Sequence, residues 1–272
     1  MSVPIIRGTV HEATGKVSDP QTIVLGSSLG TTGALWDGVV PTLADHYRVL
    51  RFDLPGHALT PAPGEPFSIA DIADGVIAFV DSEGGGPFHY AGISIAGAVG
   101  LELALRHPDR LLNLAVLCSG AKIGAAEGWR ERAAHIRANG TDDVIAGSAE
   151  RWFAPGFLER SPAAAAATLA TLGEVDDESY ALCCDALSRF DVTGAVHGIR
   201  SRTLCVSGEF DLPTPTAQLQ ELAARIPGAR HVTIAGVAHL PALERPETVA
   251  ALLLEFLEPT LSEQDSSAPI AG

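Results

Sequence analysis

Six short, largely apolar runs of strand length constrain this chain more than any other feature. They are residues 22–26 (TIVLG), 47–52 (YRVLRF), 88–93 (FHYAGI), 114–118 (LAVLC), 203–207 (TLCVS) and 231–235 (HVTIA). A strand wet on one face alternates apolar and polar side chains. Continuous apolar character instead requires cover on both faces, as in a parallel sheet. Helical patterns such as 69–80 and 96–106 separate the runs, and the strand–helix–strand repetition predicts a doubly wound α/β sheet. At 272 residues the chain can bury a full core of one such domain with an insertion. Its 28 glycines and 6% aromatics favour tight turns and close helix-to-sheet packing over stacks of large side chains.

The rhythm breaks between residues 121 and 199. Segments 129–138, 142–153, an alanine-rich 162–172 and 179–190 all have helical character, with no strand among them. They read as a helical cap inserted over one end of the sheet. The expected organisation is a core of residues 1–120 and 200–258, the cap at 121–199, and a Ser/Pro-rich tail at 259–272 that is expected to be mobile.

Charge narrows the class of partner. The formal net charge is -15 with no run of Lys or Arg, which argues against nucleic acid, whose binding needs a basic footprint. An anionic substrate would be repelled by the overall field, so local cations would have to hold it; charges beyond about 10 Å are largely screened. No basic start followed by a long apolar run marks a signal peptide, and no stretch reaches the roughly 20 apolar residues of a membrane span. Adjacent Cys183 and Cys184, with Cys118 and Cys205, form no CxxC pair; reduced thiols in the cytoplasm are the simpler expectation, with no metal site.

The chemistry-bearing motif is Gly92-Ile93-Ser94-Ile95-Ala96-Gly97, which follows a strand and opens a helix. That is the context of a nucleophile elbow, G-x-S-x-G, with Ala96 at its last position; by itself it is equally a glycine-rich turn with an incidental serine. A serine hydroxyl needs a base, and His239 in Gly236-Val237-Ala238-His239-Leu240 lies where one is expected, after the final strand. Asp211 follows the preceding strand in Gly208-Glu209-Phe210-Asp211 and is the candidate orienting acid, with Glu209 as its rival. The chain order Ser, Asp, His is the order α/β hydrolases use. An oxyanion needs two donors: the N–H of Ile95 at the helix start, and that of Leu29 in Ser27-Ser28-Leu29-Gly30, unless that loop is an ordinary small-residue turn.

Beyond these motifs the chain resembles the 3-oxoadipate enol-lactonases of the α/β-hydrolase superfamily, over nearly its whole length to about Leu257. The resemblance rests on Ser28-Leu29-Gly30-Thr31-Thr32 with Trp36-Asp37, on Lys122-Ile123-Gly124 leading to Glu127-Gly128-Trp129, on Arg151-Trp152-Phe153, and on Tyr180 with Cys183-Cys184. It departs at Ser27, where the family has Asn, and at Pro55-Gly56-His57-Ala58, where the family is close to R-G-H-G. The resemblance implies an α/β-hydrolase fold with a mostly parallel sheet, no cofactor, and a small lactone carrying one free carboxylate. Such a substrate needs a cation under the cap. On a helix starting near Glu127, Trp129 shares a face with Arg132 or Ala133 and with Ile136, so Trp129 could wall the ring while Arg132 pairs the carboxylate; alternatively Arg132 pairs with a surface Glu. Arg130 and Arg137 point elsewhere on a regular helix.

Overall fold

The computed structural model describes residues 2–258; the expected tail at 259–272 lies outside the described residues. Strands β1 (Arg7–His11), β2 (Thr22–Gly26), β3 (Arg48–Asp53), β4 (Phe88–Ile93), β5 (Leu111–Leu117), β6 (Arg202–Gly208) and β7 (Arg230–Ile234) form one sheet. Their spatial order is β1-β3-β2-β4-β5-β6-β7. All pairings are parallel except that of β1 with β3. Each of the six apolar runs overlaps a strand, with Tyr47, Cys118 and Ala235 falling one residue outside and β5 beginning at Leu111 rather than 114. The unbroken apolar character has the expected cause: every residue of β4, at the centre, is buried. β1 has no apolar run to announce it. Its residues RGTVH are exposed or half-buried, and an edge strand needs only one neighbour and one covered face.

The strand order positions the site. From β2 the chain steps outward to β3, then returns to the other side of β2 to form β4. At such a reversal the connections leave in opposite directions, and a crevice opens at the carboxyl ends of the two strands. Gly26 and Gly92 face each other across the β2–β4 ladder there, so the loop at 27–32 and Ser94 emerge side by side.

Helices α1 (Val40–Ala44), α2 (Ile69–Ser82) and α3 (Ile95–Arg106) belong to the crossovers of the first half of the sheet. The start of α2 is set by a capping box. Ser68 Oγ accepts the Asp71 N–H at 3.1 Å and Asp71 Oδ2 accepts the Ser68 N–H at 2.8 Å, an arrangement worth about 1 kcal/mol. Between β5 and β6 come α4 (Ala126–Asn139), α5 (Ile145–Trp152), α6 (Phe157–Arg160), α7 (Pro162–Gly173) and α8 (Asp177–Arg189). The pattern at 142–153 divides into a 3-10 turn, Thr141–Val144, followed by α5. Helices α4 and α8 pack closely; Ala133 and Ile136 are buried on α4, and Ser179–Cys184 on α8. Arg130 pairs with Glu127, and Arg137 with Glu178 and Asp185, on the outer surface. After β6 follow α9 (Thr216–Arg225), α10 (Pro241–Glu244) and α11 (Pro246–Leu257). All four cysteines are buried free thiols. Among the described residues no helix is long and apolar enough to cross a membrane.

Candidate active site

β4 ends at Ile93 and α3 begins at Ile95, so Ser94 alone makes the turn, at φ +59° and ψ -120°. That conformation is strained for any residue with a Cβ and persists only where its surroundings over-determine it. Here the Ser94 N–H donates to the Leu117 carbonyl at 2.9 Å, and its own carbonyl accepts the Ser119 hydroxyl at 2.7 Å. Strand and helix approach so closely that a Cβ on Gly92 would lie 2.3 Å from the Ala96 carbonyl oxygen. The departure at Ala96 is accommodated from β2. A Cβ on Gly26 would stand 2.6 Å from the Ala96 methyl, so the hydrogen side chain of Gly26 leaves room for that methyl.

The Ile95 N–H is the first of α3 and has no partner four residues back, at the positive end of the helix dipole. Leu29 lines the same cavity as Ser94. Its loop is tied down on both sides: the Thr31 hydroxyl donates to the Ser28 carbonyl at 2.7 Å, and the Ser27 hydroxyl to that of Thr32 at 2.8 Å. Neither the Leu29 nor the Ile95 N–H donates to a protein acceptor among the described residues.

A residue given no role by the sequence, His57, completes this loop. Fully buried, it donates its Nδ1–H to the Pro55 carbonyl at 2.9 Å, leaving Nε2 to accept the Gly30 N–H at 3.1 Å. The next residue, Ala58, sits at φ +39°, where the resemblance has glycine. Burial pushes the His57 pKa down to about 4, against smaller opposing effects of the Pro55 bond and Asp176. The unfolded chain therefore binds a proton that the folded one refuses between pH 6.5 and about 4. The His57 contribution is intact above pH 6.5 and is lost as pH falls through that window, by about 3 kcal/mol in all. Urea unfolding at pH 7 and pH 4.5 should show this loss, and His57→Gln should remove only its share of the dependence, because burial also pushes His89 down to about 4.

His239 follows β7 and lines the cavity with Ser94. Its Nδ1 donates to Asp211 Oδ1 at 3.0 Å, which leaves Nε2 as the acceptor. The Ser94 and His239 side chains do not hydrogen-bond to each other, and a nucleophile–base bond of this kind commonly tightens only with substrate in place. Asp211 also accepts the Thr214 N–H at 3.0 Å and its hydroxyl at 2.7 Å. Burial alone would raise the Asp211 pKa, but His239 and the Thr214 bonds outweigh it and hold the carboxyl below its usual range. Glu209, the rival acid, is exposed and accepts the Gly236 N–H at 2.8 Å. Cys118 brings its sulfur within 4.8 Å of donor atoms of Asp211 and His239. Burial keeps that thiol well above its ordinary pKa, and Asp211 is already engaged, so the grouping suits an acid–imidazole pair better than a metal.

The cavity has a volume of about 320 Å³, small-metabolite size. Trp129 walls it and donates through its indole N–H to the Ile123 carbonyl at 2.5 Å. Arg132 also lines it, but its partner is not a surface Glu: Nε and Nη2 donate to the Tyr180 hydroxyl oxygen at 3.0 and 2.6 Å. A second guanidinium, Arg151, faces the same space. Its pKa is lowered by burial and then by the nearby Arg132 charge. Arg151 donates to the Ser148 hydroxyl at 3.4 Å. Neither arginine forms an ion pair with a carboxylate among the described residues. The sequence held Arg151 only as part of the Arg151-Trp152-Phe153 motif; its direction into the cavity depends on how α5 packs.

Comparison with known proteins fits this arrangement. The sequence profile of the alpha/beta hydrolase family matches residues 23–252. The chain belongs to the alpha/beta hydrolase family. Within it, this hydrolase is 31% identical to 3-oxoadipate enol-lactonase 2 of Acinetobacter baylyi, over 88% of this chain and 89% of that one. It superposes on the crystal structure of the enol-lactonase from Burkholderia xenovorans LB400 with a TM-score of 0.88, at 32% identity, covering 93% and 96% of the two chains. It is also 29% identical to the pimeloyl-[acyl-carrier protein] methyl ester esterase of Aeromonas hydrophila, over 86% and 94%. The hydrolase fold is thus shared across relatives with different ester substrates.

Proposed function

We propose that this protein hydrolyses 3-oxoadipate enol-lactone to 3-oxoadipate through an acyl-enzyme on Ser94. The observation that carries the reading is the pair Arg132 and Arg151, two guanidiniums that find no carboxylate partner among the described residues and face one small cavity beside Ser94 and His239. In a chain of net charge -15, two cations held near each other cost free energy that a bound anion offsets. The resemblance to enol-lactonases supports the identity of that anion.

In this mechanism His239 Nε2 takes the Ser94 proton as Oγ attacks the lactone carbonyl. The N–H groups of Leu29 and Ile95 hold the developing oxyanion. Collapse expels an enolate, a better leaving group than an alkoxide, and the His239 imidazolium returns its proton to that leaving group, which becomes the ketone and leaves His239 neutral. Water deprotonated by His239 then releases the acid and regenerates Ser94. Asp211 holds the imidazole tautomer and stabilises the imidazolium. Trp129 walls the ring, and Arg132 with Arg151 binds the free carboxylate.

The test compares kcat/KM for the enol-lactone and for phenyl acetate, which carries no charge. The lactone should win by orders of magnitude; an aryl ester that wins by as much would make this a carboxylesterase. Arg132→Met should reduce kcat/KM for the lactone roughly 10- to 100-fold, as expected for a charged hydrogen bond, while changing the neutral ester only a few-fold.

A further inference from the structure

The geometry points to Glu244 as a positioning residue that fastens the His239 loop to the segment Trp152–Ala154, holding the base and the cation-bearing cavity wall in one register. Glu244 closes α10, five residues after His239, and is buried. Its two carboxylate oxygens serve two distant parts of the chain. Oε1 accepts the Ala238 N–H at 2.7 Å, and Oε2 accepts the Ala154 N–H at 2.9 Å. A third bond spans the same gap, from the His239 N–H to the Trp152 carbonyl at 3.1 Å. The Ala238 peptide is held from its other side too. Its carbonyl accepts the Cys118 thiol at 3.6 Å and lies 2.0 Å from where a Gly208 Cβ would stand, so only glycine at the end of β6 leaves room for it.

Glu244 forms no ion pair among the described residues, so two backbone donors replace the hydration its carboxylate gives up. Burial pushes its pKa up, and the Ala238 and Ala154 bonds, with the charges of Arg160 and Arg245, work against that. A buried carboxylate is a costly way to satisfy two amides. What it provides is a rigid fork whose arms reach Ala238, adjacent to the base, and Ala154, three residues beyond Arg151. Glutamine keeps the length and loses the fork: one oxygen can accept, and the NH2 meets the other N–H donor head-on. Aspartate keeps both acceptors but is one methylene too short to reach both segments.

This inference rests on the serine-hydrolase reading but not on the lactone, so it is tested with p-nitrophenyl acetate. A fluorophosphonate titration of Ser94 counts competent sites, and kcat is expressed per titrated site. In Glu244→Gln, kcat per site should fall at least tenfold, with KM for this neutral ester changing less than threefold. A residue that only stabilises the fold would lower the melting temperature and leave kcat per site at the wild-type value, and that result overturns the proposal. If Glu244→Gln does not fold, Glu244→Asp is measured by the same criterion. A wild-type protein that neither reacts with the fluorophosphonate nor turns over the ester would overturn the serine-hydrolase reading instead.

Discussion

Ser94→Ala should abolish turnover of every substrate, lowering kcat by about 10⁵- to 10⁶-fold, while leaving a cooperatively folded protein. The loss is this large because the hydroxyl is the attacking atom in the proposed mechanism, and no nearby group can replace it: Cys118 is buried, with its thiol held protonated. The fold should survive. Alanine at φ +59° meets the same backbone restraint as serine, and the two bonds that hold the turn run from the backbone N–H and carbonyl of Ser94, not from its hydroxyl. Single-turnover assays with far-UV circular dichroism would check both halves. Substantial turnover by the folded variant would rule out a serine mechanism, and ligand binding without turnover by the wild type would favour a non-catalytic receptor.

Asp211→Asn should be nearly as damaging for a different reason. Oδ1 of Asp211 faces both the His239 Nδ1 and the Thr214 N–H, whereas Oδ2 faces the Thr214 hydroxyl, which can reverse from donor to acceptor. Asparagine can therefore place its carbonyl toward His239 and its NH2 toward the hydroxyl, preserving the imidazole tautomer. What disappears is the negative charge that stabilises the imidazolium, and kcat should drop on the order of 10³-fold with KM little changed. Glu209→Gln is the matched control. Glu209 is exposed and bonded to Gly236, so that variant should stay within about twofold of wild type. The reverse ranking would transfer the acid role to Glu209.

How much of this is legible in the sequence follows the range of the interactions involved. Residues 22–26 and 88–93 read as strands because a both-sides-buried strand must be apolar at every position, and the structure agrees to the residue. β1 escaped because an edge strand of half-exposed residues carries no such pattern. The turn at Ser94 was visible because its requirements, small residues flanking a serine between strand and helix, are local. His57 was not: its partner Gly30 is 27 residues away, and nothing in Pro55-Gly56-His57-Ala58 indicates which amide the ring will support.

The sites divide along the same line. The order of Ser94, Asp211 and His239, each placed just after a strand, needs only the chain and the rule that loops of a parallel sheet gather at its carboxyl edge. Periodicity along one helix brought Trp129 and Arg132 to one face. Packing between helices then decided that Arg132 rests on Tyr180 and that Arg151 joins it from α5. Packing also decided that Glu244 reaches Ala154, 90 residues earlier in the chain. Charge type and helical phase are properties of a segment, so composition and spacing reveal them. Whether a guanidinium lacks a counter-ion, or a buried carboxylate finds two amides, depends on which segments meet, and only the folded chain settles that.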